Sequence, residues 1–103
     1  MSNLGFGFYP THPGEVLKDE LEERGISQRK FAESIGMEYS VLNEILNGKR
    51  PVTTTSALMF EAALDIPADS LLKLQMKYNM HTARKDNALV EKLKQIRKVA
   101  AIL

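Results

Sequence analysis

The chain has 103 residues, 44% of them hydrophobic and 26% charged, with a net charge of +1 and no cysteine. That length bounds it to one domain with room for a terminal extension, and the missing cysteines exclude a disulfide framework or a thiolate metal site. No apolar run approaches the ~20 residues that span a bilayer and the N-terminus has no signal-peptide pattern, so a cytoplasmic protein without a membrane partner is expected.

Residues 1–11 read as an N-terminal arm. The run MSNLGFGFY has no helical period, and Phe6, Phe8 and Tyr9 are too apolar for a solvated tail, so they are expected to dock on this domain or another chain. Helix 1 begins at Pro13, which suits the first helical position, with Glu15 in the first turn. Val16, Leu17 and Leu21 form its inner stripe, and Arg24-Gly25 ends it.

The organising stretch is QRKFAESIGMEYSVLNEILN, residues 28–47. Ser27 caps a short helix with Phe31, Ala32 and Ile35 on one face, and Ile26 can staple onto Phe31. Gly36 follows where a helix ends in a left-handed residue. A second helix buries Val41, Leu42, Ile45 and Leu46. Two short helices at a sharp turn are the layout of a helix-turn-helix DNA reader. Outward on the second helix stand Glu38, Tyr39, Ser40, Asn43, Glu44 and Asn47, which are long or polar enough to reach base edges. Asn43 has the best claim to a base, because its amide can pair two ways with adenine. The plain alternative is a helical hairpin with a solvated outer face.

Next comes a basic loop, Gly48-Lys49-Arg50-Pro51, whose proline keeps it out of helix. Thr53 caps helix 4, with Ala57, Phe60, Ala63 and Leu64 as its stripe. Asp65-Ile66-Pro67 breaks the chain, and helix 5 runs from about Ala68 to Met80. The helix starts at Gln28 and Thr53, with Lys49 and Arg50, suit phosphate oxygens, although the threonines serve equally well as caps only. Further on, Leu89, Leu93, Ile96, Ala100 and Leu103 recur at four- and three-residue steps, among Lys92, Lys94, Arg97 and Lys98. Two heptads cannot stand alone, so this helix must pack on the domain, a second copy or a partner. No segment alternates like a strand. The expected fold is therefore all-α, five helices with an added C-terminal one, divided as arm 1–11, helix-turn-helix domain 12–80 and extension 81–103.

Charge is unevenly spread. Residues 1–70 hold six Lys/Arg against eleven Asp/Glu, and residues 71–103 hold eight against two. A reader usually carries its positive charge near the recognition helix. Here the nearby bases are only Arg29, Lys30, Lys49 and Arg50, which points to a dimer or partner supplying more. Enzyme chemistry finds no footing: His12 and His81 lie far apart, no phosphate loop or nucleophile motif is present, and no cofactor is called for. His12, just ahead of helix 1, is expected to hydrogen-bond locally.

HPGEVLKDEL at His12–Leu21, LNEILNGKRPV at Leu42–Val52 and LLKLQMKYNM at Leu71–Met80 together resemble the HigA-type antitoxins, which are Cro/repressor-like helix-turn-helix proteins. The resemblance implies neutralisation of a cognate HigB/RelE-like toxin that cuts mRNA. It also implies repression of the operon through its operator DNA, usually as a homodimer. Gln28, Glu38, Tyr39, Ser40, Asn43 and Glu44 match the family's DNA-reading positions. Glu38 and Glu44 put acid where many relatives carry neutral or basic groups, so base preferences and toxin contacts do not carry over. Two other readings stay open: a protein-binding antitoxin with little DNA activity, and a free-standing transcription regulator.

Overall fold

The computed structural model describes residues 9–103 as six α-helices, with no strand among the described residues. They are α1 (Pro13–Glu23), α2 (Gln28–Ile35), α3 (Tyr39–Leu46), α4 (Thr54–Leu64), α5 (Ala68–Arg84) and α6 (Asn87–Ala100). Side chains set the helix starts. Ser27 Oγ accepts the Lys30 N–H at 3.1 Å, and Thr53 and Ser56 form a reciprocal capping box. Because Pro67 offers no side-chain cap at α5, Glu61 Oε2 reaches across to accept the Ala68 N–H at 3.0 Å.

Five helices share one core. Leu17 and Leu21 of α1, Phe31 and Ala32 of α2 and Leu42, Ile45 and Leu46 of α3 meet Phe60 of α4 and Leu71 of α5. Phe60 is wholly buried and stacks on Phe31 with 6.2 Å between ring centroids. Long-range hydrogen bonds lock the connections. Arg24 Nη2 donates to the Leu64 carbonyl at 2.7 Å, and buried Gln75 accepts the Val52 N–H at 2.8 Å while donating to Asn79 at 2.9 Å. Ala63, expected in the α4 stripe, is exposed instead, and Val16 and Val41 are only half-buried.

His12, Gly14 and Glu15 build the start of α1. His12 Nδ1 accepts the Gly14 N–H at 2.9 Å, and Glu15 reaches back to the His12 N–H at 3.4 Å, completing a capping box in which His12 is buried and Glu15 exposed. The His12 ring stands edge-on to Tyr78 of α5, 4.8 Å between centroids. Burial lowers the His12 pKa from 6.5, and the Glu15 charge opposes this only partly. A lowered folded-state value means that the native state prefers neutral imidazole. The stabilisation is therefore complete above pH 6.5 and is lost as the pH falls through the folded-state pKa. Melting temperature is expected to drop as the pH falls below 6.5 more steeply in the native chain than in His12→Asn, which keeps a cap but does not titrate.

Gly36 adopts φ +70° with nothing within 4 Å of an added Cβ, so a larger residue there meets backbone strain and not crowding. Ala32 is buried at the α2–α3 crossing.

The C-terminal part departs from expectation. α5, expected to end near Met80, continues to Arg84. α6 buries no residue, and the radius of gyration is 17.3 Å, against about 13 Å for a compact domain of this length. Its N-terminal half rests on α5 and the rest stands clear. Of the arm, Tyr9 packs on the chain's own α5 end, edge-on to His81 at 4.7 Å with the Lys85 amine over its ring. Phe6 and Phe8 lie outside the described residues.

Candidate nucleic-acid interface

The interface is built by α2, the Gly36 turn and α3, with the loop into α4 beside them. Leu42, Ile45 and Leu46 anchor α3 to the core, which leaves its other face for contacts. Glu38 is the N-cap of α3, makes no side-chain cap bond and stands exposed at the positive end of the helix. Ser40 is exposed, and Tyr39 is half-buried beneath the Arg29 guanidinium, 4.1 Å from its ring centroid.

The two motif helices are joined by a pair of amides. Asn43 Nδ2 donates to Gln28 Oε1 at 3.2 Å. This leaves one Asn43 N–H, its Oδ1 and the Gln28 amide nitrogen without a protein partner among the described residues, and none of them is buried. In the sequence Asn43 reads as a base contact and Gln28 as a helix start, and the resemblance places both among DNA-reading positions. They form one unit.

The charged positions are also coupled. Arg50 donates twice to Glu44 Oε1, at 2.7 and 2.9 Å, which offsets the acid on α3 and engages the guanidinium. Such an exposed pair adds little stability, about 0–1 kcal/mol, and is readily exchanged for another partner. Lys49 is exposed with no ion-pair partner among the described residues. Asn47 turns its amide back onto the Asn43 carbonyl at 2.8 Å, closing the end of α3. Thr53 spends its hydroxyl on Ser56, so the free hydroxyls at the start of α4 are those of exposed Thr54 and Thr55. Sequence reasoning named neither of them singly. The uncapped N–H groups of that first turn point the same way as the helix dipole, which suits a phosphate oxygen.

No group of three or more His, Asp or Glu among the described residues can hold a metal ion. No helix among them is long and apolar enough to cross a membrane. Two short helices crossing at a left-handed glycine, packed by three further helices, define a helix-turn-helix domain of Cro/repressor type.

The chain belongs to the helix-turn-helix family, whose sequence model matches residues 17–71. Its structural neighbours include antitoxins of the HigA and plasmid-maintenance antidote kind. One, from Nostoc punctiforme, is described as an antidote protein of a plasmid maintenance system. It is 31% identical with a TM-score of 0.74, covering 87% of this chain and 97% of that one. Another is the Pseudomonas aeruginosa antitoxin HigA, solved with the higBA promoter. It is 32% identical with a TM-score of 0.72, covering 84% of this chain and 90% of that one. The virulence-associated protein I of Dichelobacter nodosus is 33% identical over 76 residues, 73% of this chain and 70% of that protein. With relatives described as an antidote protein, an antitoxin and a transcriptional regulator, the chain stands outside the enzymes.

Proposed function

We propose that this chain is the antitoxin of a type II toxin–antitoxin module. In this reading it binds its own operator through α3, represses its operon, and neutralises a HigB/RelE-like mRNA-cleaving toxin by direct contact, in the cytoplasm. The Gln28–Asn43 pair carries the DNA half of the reading. It fixes an amide of the recognition helix against the preceding helix while leaving hydrogen-bonding capacity open, as a base reader requires. The toxin half draws on the likeness to HigA and to the plasmid-maintenance antidote.

A protein-binding antitoxin with little DNA activity is the second reading. It is favoured by exposed Glu38, which has no ion-pair partner among the described residues, and by the acidic balance of residues 1–70. Co-expression with the adjacent small reading frame tests the toxin half, and a gel shift on the upstream DNA tests the operator half. Co-purification with a growth-arresting product, together with a salt-sensitive shift on that DNA, is the expected result. Binding the product without shifting the DNA would favour the second reading.

A further inference from the structure

Of the basic residues near the motif, two are already engaged within the chain. Arg29 covers the Tyr39 ring, and Arg50 gives both Nε and Nη2 to Glu44 Oε1, at 2.9 and 2.7 Å. Glu44 follows Asn43 on α3 and stands among its outward residues. One side chain thus sets an acid on the reading face and holds a cation back from the phosphates.

The backbone beneath this pair is tied from both sides. The Glu44 carbonyl accepts the Lys49 N–H at 2.8 Å, and beyond Pro51 the Val52 N–H donates to buried Gln75, also at 2.8 Å. Arg50 can therefore leave Glu44 by turning its side chain, without movement of the loop. Both side chains are about half exposed, 49% and 46%, so solvent screens the pair and parting it costs little. A phosphate offers the guanidinium two oxygens and a matching fork. What opposes the transfer is the carboxylate left behind, a bare negative charge beside phosphates.

In the major groove cytosine satisfies that charge, because its N4 amino group donates to a carboxylate. Adenine also presents an amino donor, but next to the N7 acceptor, which a carboxylate opposes. We propose that Glu44 is a specificity-determining residue, which accepts from an operator cytosine and only then releases Arg50 to a phosphate. This rests on the operator-binding reading.

The Arg50 contact is then conditional on sequence. On random DNA Arg50 stays with Glu44 and adds nothing to binding. On the operator the base contact and the phosphate contact form together, and each favours the other by linkage. Lys49 has no ion-pair partner among the described residues and serves both kinds of DNA. Holding back one cation in this way raises the ratio of specific to non-specific affinity, which decides occupancy among many competing sites.

The test compares the native chain, Arg50→Gln, Glu44→Gln and the double variant on the operator and on a random duplex of equal length, over a salt series. Arg50→Gln should weaken operator binding at least about fivefold and leave random binding and its salt slope unchanged. Glu44→Gln frees Arg50 everywhere, so random binding should tighten and its salt slope steepen by about 0.9, for one more phosphate neutralised. That gain should vanish in the double variant. Exchanging the operator's C·G pairs one at a time should find a position that costs the native chain at least about fivefold and Glu44→Gln nothing. Melting temperatures should barely move, since the pair is exposed.

Equal losses from Arg50→Gln on both duplexes would make Arg50 an ordinary phosphate contact, and no loss on either would make the pair a loop tie. Each overturns the proposal, as does an unchanged slope in Glu44→Gln or the lack of a cytosine read through Glu44. Those outcomes leave the operator reading standing. A native chain that holds both duplexes equally would sink that reading and this proposal with it.

Discussion

Gly14→Ala is expected to destabilise the domain by about 3 kcal/mol, the upper end of the ordinary range for overpacking. Helix propensity alone predicts the opposite sign, since alanine in a helix interior is better than glycine by about 1 kcal/mol. Packing decides. A Cβ at Gly14 lies 1.9 Å from the Ile45 carbonyl oxygen and 2.9 Å from its carbon. Those atoms are backbone, held in α3 while the same oxygen accepts the Gly48 N–H at 3.1 Å, so they cannot rotate aside as a side-chain end would. α1 must move off α3, which opens the Leu17 and Ile45 contacts. A fall in melting temperature of at least about 10 °C follows for a domain of this size. Gly25→Ala is the control. It adds a Cβ at φ +67° with nothing within 4 Å, so it costs only left-handed strain, about 1–2 kcal/mol. Equal losses from both would mean that α1 and α3 do not approach as closely as described.

Gly14 also marks where the sequence stops being legible. His12, Pro13 and Glu15 announce a helix start through local chemistry, as do Ser27 and Thr53 at theirs, and all of these helix starts stand where expected. The left-handed turn at Gly36 is legible for the same reason: its cause lies in one residue and its neighbours. A glycine required by a carbonyl far along the chain leaves no local trace. The same is true of Gln75, a polar residue of α5 that is buried as an acceptor for the Val52 N–H. At the interface the outward residues of α3 were readable from helical spacing. Their pairings, Asn43 with Gln28 and Glu44 with Arg50, depend on how two elements lie against each other. α6 shows the opposite case. Its seam is legible from spacing, but only the approach of α5 decides which of its residues are covered: Leu89 and Leu93 are half-buried and Ile96 is exposed.

The most direct test of α3 as the base-reading helix is the affinity of Asn43→Ala for the upstream operator and for random duplex DNA of equal length, at one fixed salt concentration. Losing a bidentate-capable amide from the major groove should cost about 1–3 kcal/mol on the operator, roughly five- to 150-fold, and little on random DNA. Lys49→Ala, measured alongside, should weaken both duplexes alike and lower the salt slope by about one. The Asn43 substitution also frees Gln28 Oε1, but this atom is near solvent, so the melting temperature should barely move and the affinity loss can be assigned to DNA contact. Selective loss on the operator is the predicted result. Equal losses on operator and random DNA, or none on either, would show that α3 does not lie in the groove, and would contradict the account.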